Sequence, residues 1–296
     1  GLVGSEMCIR DRLYIYTDEH LNNMENQVTK QDNKDMVKNL PYNIGLALSG
    51  GGAKGFAHLG ALQALDEKGI KPDIIAGTSA GAVVGAFYAA GFKPKEILKL
   101  FLGHDFRDFV SFMIPKEALL KYDGFIEFME KNLPVKRFEE LNIPFCAVAS
   151  DFDKGESKVF TEGELVPRVM ASCTIPIVFK PMMIDGVRYV DGGLFKNFPV
   201  TPIRDLCRKV IGVNVCPKHP EEYEDNILRV ALRSYLFLFK QNAVEDSELC
   251  DLLLEVDSID EYNIFNLKNA LKIYNQGYRQ MVELLEEEGR RLMIKD

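Results

Sequence analysis

Apolar residues along this chain alternate between short continuous runs and helical spacing, which predicts alternating strands and helices. The first unit is an apolar run at Ile44–Leu48, a glycine-rich loop and a helical segment at Gly55–Lys68. The second unit is an apolar run at Asp73–Ala76, a turn at Gly77–Gly81 and a small-residue helix at about Ala82–Gly91. Two successive strand–turn–helix units predict parallel strands joined by right-handed crossovers.

Shorter patterns predict the remaining elements. Apolar runs with β-branched residues and turn-like flanks predict strands at Pro144–Ser150, Lys158–Thr161, Val187–Val190 and Lys209–Val215. Leu165–Cys173 has the pattern of a helix, which Pro176 would end. After Glu221 we expect helices to the end of the chain, because apolar residues in Ile264–Met293 lie three and four positions apart.

The same patterns divide the chain into a tail and one continuous domain. Residues 1–12 lack periodicity and resemble a translated sequencing-adapter sequence, and Thr17–Lys38 is rich in Asn, Gln, Asp and Lys. We therefore expect residues 1–40 to be a non-native or disordered N-terminal tail. Residues 41–215 would form a catalytic core, and residues 216–296 a helical segment packed on the same domain.

Composition narrows the partners and the location. The net charge of −8 argues against a nucleic-acid partner, which would need a basic face for its phosphates. It also argues against tight docking on an anionic membrane, although transient membrane or micelle contact through apolar residues remains compatible with it. No apolar stretch reaches the roughly 18 residues needed to cross a bilayer, and no export signal is recognisable.

The cysteines and histidines predict neither disulfides nor a metal site. The six cysteines are scattered, without a C-x-x-C pair, and no histidine cluster has the spacing of metal ligands. Free cysteines are most often small buried residues. We therefore expect a cytoplasmic protein without a metal or another cofactor.

A glycine-rich loop follows the first predicted strand and opens the first predicted helix. It comprises Gly50, Gly51, Gly52, Ala53, Lys54 and Gly55. Free backbone amides at a helix N-terminus bind negative charge, so the loop suits either a dinucleotide or the oxyanion of a reaction intermediate. Dinucleotide binding is disfavoured because Asp73 precedes the second strand instead of ending it, and Lys54-Gly55 lacks the Ser or Thr of a P-loop. The alternative is an oxyanion hole, for which Gly51 and Gly52 are the main candidates.

A candidate nucleophile lies between the second predicted strand and its helix. Gly77, Thr78, Ser79, Ala80 and Gly81 match the pattern G-x-S-x-G in the strand–turn–helix context of a nucleophile elbow. A turn of small residues with Ser79 as a helix N-cap is the competing interpretation. The glycine-rich loop a short distance upstream favours catalysis.

The serine needs a partner that accepts its proton, and two candidates stay open. Of the four histidines, only His219 stands where a Ser–Asp–His order requires it. The other candidate is Asp191, which ends a predicted strand and is followed by Gly192 and Gly193. A carboxylate in a dry site is basic enough for this task, although Asp-Gly is also a common turn dipeptide.

These segments together resemble the patatin-like phospholipase family in residues, order and spacing. The resemblance covers about Ile44–Val215 and includes Ala171–Pro176, Phe179, Pro181, Asn197 and Pro199. It implies a three-layer α/β/α sandwich with a mostly parallel sheet, to which we add a C-terminal helical layer. It also implies that Ser79 is the nucleophile and Asp191 the base, with an oxyanion hole from Gly51 and Gly52 and a loop braced by Lys54. Gly193 departs from the alanine that many relatives carry.

The resemblance implies a lipid acyl hydrolase, of phospholipase A or lysophospholipase type, that works through an acyl-serine intermediate on a lipid substrate. Two alternatives stay open: a Ser-His-Asp esterase that uses His219, and a catalytically idle lipid-binding protein. The Phe-rich segment Phe101–Ile114 suits either a lid over the acyl chain or a packed helical layer. Tyr235–Phe239 is a second apolar segment with the same two interpretations.

Overall fold

A mixed eight-stranded sheet lies at the centre of the computed structural model, which describes residues 40–112, 118–216, 226–259 and 261–292. The described residues from Pro41 onward form one compact unit. The strands are β1 Tyr42–Leu48, β2 Ile74–Thr78, β3 Ser111–Phe112, β4 Leu120–Lys121, β5 Phe145–Asp151, β6 Glu156–Phe160, β7 Met182–Ile184, β8 Val187–Asp191, β9 Cys207–Asn214 and β10 Leu252–Glu255. Strands β3 and β4 form a separate two-stranded sheet.

Helices connect the strands. They are α1 Phe56–Glu67, α2 Ala80–Ala89, α3 Pro94–Phe101, α4 Phe106–Phe109, α5 Asp123–Asn132, α6 Leu165–Ser172, α7 Thr201–Arg204, α8 Ile227–Glu248 and α9 Ala270–Glu288. Short 3-10 turns lie at Gly52–Gly55, Phe138–Glu140, Gly192–Leu194, Leu267–Asn269 and Gly289–Leu292.

The main sheet has the strand order β10-β9-β1-β2-β5-β8-β7, and β6 pairs with β5 beside this path. From β10 to β5 every pair is parallel, whereas β8 and β6 both run antiparallel to β5, and β7 runs antiparallel to β8. The carboxyl ends of β1 and β2 therefore meet at one edge of the sheet, where loops of an α/β fold commonly bind ligands.

Both faces of the sheet are covered by helices. Leu46, Leu48 and Ile75 point to one face and join a large core with α1, α2 and α9. Their neighbours Ala47 and Ile74 point to the other face and join a smaller core beneath α7 and α8. Because successive side chains of a strand alternate between faces, apolar runs on β1 and β2 serve both layers. The predicted α/β/α sandwich is thus confirmed.

The predicted strands and the first two helices lie close to their expected positions, but the end of the chain differs. We expected helices throughout residues 216–296, and Leu252–Glu255 instead forms β10 at the edge of the sheet. Four residues between two helices carry too little pattern to distinguish a strand. Helices α8 and α9 also belong to opposite faces of the sheet, so the C-terminal segment contributes to all three layers.

Candidate active site

Ser79 lies at a sharp turn between β2 and α2. Its backbone has φ 52° and ψ −118°, a conformation that costs a non-glycine residue about 1–3 kcal/mol. The turn requires small neighbours: a Cβ on Gly81 would lie 2.2 Å from the carbonyl oxygen of Leu48. This close approach of α2 to the end of β1 explains the glycine of the G-x-S-x-G pattern, and it brings Ser79 next to the glycine-rich loop.

Three hydrogen bonds that the sequence did not predict hold the turn. The amide of Ser79 donates to Oγ of Ser172, 2.8 Å away, and that hydroxyl in turn donates to the carbonyl oxygen of Val148 on β5. Thr78 Oγ1 donates to the carbonyl oxygen of Lys196 at 2.8 Å. Because the Ser79 amide is used in this way, stabilisation of an oxyanion would have to come from other amides.

Sheet register brings Asp191 to the same place. Thr78, the residue before Ser79, pairs with Val148 on β5, and the next residue of β5, Ala149, pairs with Asp191 on β8. Asp191 therefore lies two strands away from the serine at nearly the same level of the sheet. The amide of Asp191 donates to the carbonyl oxygen of Thr174 at 2.8 Å, which fixes the end of β8.

The carboxyl group of Asp191 is fully buried, and its surroundings favour a base. Its Oδ1 accepts a 2.8 Å hydrogen bond from the amide of Gly193, whereas Oδ2 has no hydrogen-bond partner within the described residues. Burial raises the pKa of Asp191 to about 7, and the nearby Gly193 amide and the hydroxyls of Ser79 and Tyr235 partly oppose that rise. A carboxylate with such a pKa can accept a proton from a neighbouring hydroxyl.

The amides of the glycine-rich loop differ in their availability. The amide of Gly50 donates to the carbonyl oxygen of Asn197 at 3.0 Å, that of Ala53 to Ile264 at 2.8 Å, and that of Lys54 to Gly51 at 3.2 Å. Within the described residues, no hydrogen bond has the amide of Gly51 or Gly52 as donor. In the loop that we expect to form the oxyanion hole, the amides of Gly51 and Gly52 are therefore the ones available to donate to an oxyanion.

Ser79 lies where two cavities meet. The smaller, of about 410 Å³ including its open mouth, is lined by Gly51, Gly52, Ser79 and Asp191 together with α8. The larger, of about 940 Å³ including its open mouth, is bounded almost wholly by apolar side chains, among them Phe56, Leu59, Val83, Val84, Phe125 and Met170. An apolar cavity ending at a serine hydroxyl has the form of a binding site for an acyl chain.

Part of the Phe-rich segment forms a wall of the larger cavity. Phe101, Phe106 and Phe109 line it, and Phe101 and Phe109 are buried in a cluster of aromatic rings with Phe125 and Phe128. The burial of Phe101 and Phe109 favours the packed layer of the two interpretations, and both stay predictions for the segment as a whole. The side chain of Phe112 and residues 113–114 lie outside the described residues.

The histidines of the described residues lie away from the two cavities. His58 is buried beside the loop with Nε2 2.8 Å from the carbonyl oxygen of Ser49, and burial lowers its pKa to about 4. His104 is exposed beside Asp108, and His219 lies outside the described residues. Within the described part of the chain, no histidine lines either cavity.

Burial and the charge of Asp191 raise the pKa of Cys173 well above its usual range, so its thiol stays protonated.

Helix α8 completes the site with polar groups to which the sequence gave no catalytic role, although Tyr235–Phe239 was expected to form either a lid or a packed layer. Tyr235 lines the smaller cavity, and its hydroxyl lies 3.4 Å from the carbonyl oxygen of Asp191. Asn242 accepts from the amide of Asn197 at 2.9 Å and donates to the carbonyl oxygen of Gly193 at 2.9 Å. No local motif marks either residue, because each acts on a loop about 45 residues earlier in the chain.

Phe239 on α8 gives a physical reason for the unusual Gly193. A Cβ on Gly193 would lie 2.2 Å from the ring of Phe239, which is buried against it. The chain therefore combines a large aromatic residue on α8 with a glycine at position 193, where the resemblance described above led us to expect alanine. Lys54, which we expect to brace the glycine-rich loop, has a buried side chain and belongs to the 3-10 turn Gly52–Gly55 of that loop.

Within the residues that the structure describes, no group of three or more His, Cys, Asp or Glu side chains is placed to hold a metal ion. In the same residues, no helix has the length and hydropathy that crossing a bilayer requires.

Known proteins resemble the part of the chain that contains these residues. A family model described as patatin-like phospholipase matches residues 46–203. An uncharacterized NTE family protein of Mycobacterium tuberculosis is 36% identical over 163 residues, which cover 54% of this chain and 45% of that protein. Lysophospholipase NTE1 of Saccharomyces cerevisiae is 30% identical over 194 residues, 62% of this chain but 12% of the yeast protein. The chain thus spans less than half the length of these relatives.

A solved structure supports the fold. VipD from Legionella pneumophila superposes with a TM-score of 0.52 at 17% identity, covering 84% of this chain and 67% of that protein. The family match ends before α8, so Tyr235, Phe239 and Asn242 lie outside it.

Proposed function

The chain belongs to the patatin-like phospholipase family, and on this premise we propose that it hydrolyses carboxylic esters of lipids with Ser79 as nucleophile and Asp191 as proton acceptor. The observation that carries the proposal is the position of Ser79. It lies on a strained turn where an apolar cavity meets a smaller cavity lined by a buried carboxyl group and two free amides. Strained nucleophiles with such neighbours are typical of acyl transfer.

In the first step, Oδ2 of Asp191 takes the proton of the Ser79 hydroxyl while Oγ attacks the ester carbonyl carbon. The carbonyl oxygen becomes negative and accepts hydrogen bonds from the amides of Gly51 and Gly52. The bond from the carbonyl carbon to the alcohol oxygen then breaks, and Asp191 returns its proton to that leaving oxygen. An acyl-serine remains.

In the second step, water replaces the alcohol. Asp191 takes a proton from water as the water oxygen attacks the acyl-serine, and the same two amides stabilise the second oxyanion. The bond to Oγ breaks, Ser79 recovers the proton, and the fatty acid leaves. The raised pKa of Asp191 supports this cycle, because the group must gain and lose a proton once in each half.

The substrate proposal is a lipid with at least one fatty acyl ester. The larger cavity offers an apolar environment for one chain, and none of its lining residues within the described part of the chain is charged. The name of the yeast relative, a lysophospholipase, favours a substrate of the phospholipase A or lysophospholipase type. We further propose a cytoplasmic location, supported by five free cysteines among the described residues.

The test compares the purified protein with two serine variants. Ser79→Ala should reduce hydrolysis of p-nitrophenyl butyrate and of oleoyl lysophosphatidylcholine by more than about a thousandfold, while the melting temperature is retained. Ser157→Ala, which changes an exposed serine on β6, is the matched control and should retain full activity. Unchanged turnover by Ser79→Ala would refute the assignment of the nucleophile.

Two further measurements separate the alternatives. His219→Ala should leave activity intact if Asp191 is the base, whereas a Ser-His-Asp esterase would lose it. A fluorophosphonate probe should label the wild-type protein and not Ser79→Ala, because labelling requires an activated hydroxyl. An idle lipid-binding protein would remain unlabelled at Ser79.

A further inference from the structure

Helix α8 has an inner apolar face toward the cavity and an outer apolar face that is exposed. Its inner face, with Leu232, Tyr235, Leu236 and Phe239, lines the smaller cavity beside Ser79. Its outer face carries large apolar side chains that are about half exposed or more: Ile227, Val230, Phe237, Leu238 and Val244. Ile227 is 91% exposed, Phe237 49% and Leu238 45%.

The exposed residues form one stripe instead of a scatter. At 3.6 residues per turn, positions 227, 230, 237, 238 and 244 fall on the same side of the helix, opposite the residues that line the cavity. Ser234 and Gln241 lie among them, and Glu245 and Glu248 share this side at the end of the helix. Single exposed apolar residues are common in soluble domains, but several on one side of a helix mark a surface that binds something. The stripe runs along the helix that closes the catalytic cavity.

Charge beside the stripe indicates the chemistry of its partner. Residues 227–241 contain three basic side chains, Arg229, Arg233 and Lys240, and no acidic one, although the whole chain carries a net charge of −8. Helical spacing places the three basic positions in one row along a flank of the stripe. The guanidinium of Arg233 lies 5.5 Å from the ring centroid of Phe237, which joins the row to the stripe.

An apolar helix face with a basic flank fits the interface of a lipid bilayer, where the apolar residues enter the acyl region and the basic residues meet phosphates. We propose that the outer face of α8 docks the protein on an anionic phospholipid bilayer. This inference rests on the proposed function in one respect: docking through α8 brings the cavity lined by Ser79 and Asp191 to the surface that holds the ester.

The sequence led us to expect weak attraction to anionic membranes because the net charge is negative. Residues 227–241 carry a charge opposite to that net charge, whereas the end of α8 contains Glu245, Asp246 and Glu248. Bilayer electrostatics act mainly within a Debye length of about 10 Å, so the charge of residues 227–241 is the one that a bilayer at this part of the helix would meet.

The experiment measures vesicle binding in a background that cannot hydrolyse the lipid, Ser79→Ala. Vesicles of phosphatidylcholine alone are compared with vesicles of phosphatidylcholine and phosphatidylglycerol in equal parts, by sedimentation. The parent should bind the mixed vesicles more tightly. Phe237→Ser with Leu238→Ser should weaken that binding by about tenfold for each side chain, because each would bury a large apolar group.

The matched control is Leu271→Ser, which replaces an equally exposed leucine on α9, 53% exposed, and should leave binding unchanged. Arg233→Gln with Lys240→Gln should weaken binding to the mixed vesicles and leave binding to phosphatidylcholine unchanged. If the parent binds neither vesicle, or if Leu271→Ser weakens binding as much as Phe237→Ser with Leu238→Ser, the docking proposal is wrong.

A second readout separates this proposal from the proposed function. In the wild-type background, Phe237→Ser with Leu238→Ser should retain hydrolysis of soluble p-nitrophenyl butyrate and lose hydrolysis of vesicle lipid. If the wild-type protein binds vesicles through α8 but hydrolyses no ester, the proposed function fails and the docking surface stands. If both substrates are affected equally, α8 acts on the catalytic residues instead of on the bilayer.

Discussion

Replacing Asp191 with Asn should abolish activity and make the folded protein more stable at neutral and alkaline pH. The carboxyl group is fully buried, its Oδ2 has no hydrogen-bond partner within the described residues, and burial raises its pKa from 3.8 to about 7. The folded state therefore resists ionisation of this group. Asn has the same shape and its Oδ1 can still accept from the Gly193 amide, so the change removes the charge with little change in packing.

The magnitude follows from the two pKa values. Between about pH 4 and about pH 7 the folded protein keeps the proton that the unfolded chain has lost, so the free energy of unfolding falls as pH rises. The contribution of the protonated Asp191 carboxyl group to the free energy of unfolding is fully present below the pKa of this group in the unfolded chain. It is lost as the pH rises through the pKa of the group in the folded protein, about 7. A difference of about three between the pKa values corresponds to about 4 kcal/mol, which is an upper bound for this group.

Thermal unfolding measured across this pH range checks the linkage. In a domain of this size, about 1 kcal/mol corresponds to roughly 2–4 °C in melting temperature. Asp191→Asn should melt progressively higher relative to the wild-type protein as pH rises through about 7, with no further gain beyond about pH 8. Any cost of burying the amide of Asn is independent of pH and leaves this trend unchanged.

The same group should set the rate profile of the wild-type enzyme. Because Asp191 acts in its ionised form, kcat/KM for a soluble ester should fall as pH drops below about 7. A melting-temperature difference between Asp191→Asn and wild type that does not vary with pH would refute the raised pKa. A rate profile flat down to about pH 5 would refute the role of Asp191 as the base.

Three further predictions test the surroundings of the site. Tyr235→Phe removes a hydroxyl that favours ionised Asp191. The pH below which kcat/KM falls should therefore rise by roughly half to one pH unit, and an unchanged pH dependence would count against that contact. Gly193→Ala should lower the melting temperature by forcing a Cβ against Phe239, and Phe239→Leu should partly rescue it; additive losses in this double-mutant cycle would contradict the clash. Val84→Phe narrows the larger cavity one helical turn beyond the serine, so hydrolysis of decanoyl and longer esters should fall while that of acetyl esters persists; equal losses would show that the chain lies elsewhere.

Local patterns were sufficient for much of the fold and for the candidate reacting groups. The strand–loop–helix units around Gly50–Gly55 and Gly77–Gly81 were recognisable because their strands are short apolar runs and their turns require glycine. β10 was missed because four residues between helices carry no distinguishing period. The roles of Ser79, Asp191 and the glycine-loop amides remain predictions, which the structure supports through burial, register and available donors.

The sequence alone determined which residues could react, since a nucleophile elbow, a glycine-rich loop and an Asp-Gly-Gly turn are properties of a few adjacent residues. Only the tertiary structure decided that Asp191 lies beside Ser79, because these residues are more than a hundred positions apart and are brought together by the pairing of β2 with β5 and of β5 with β8. Burial in that position, which is a property of the packed whole, sets the pKa of Asp191. The return of α8 over the site likewise depends on long-range packing, so the sequence could give the stripe on its outer face but not the cavity beneath it.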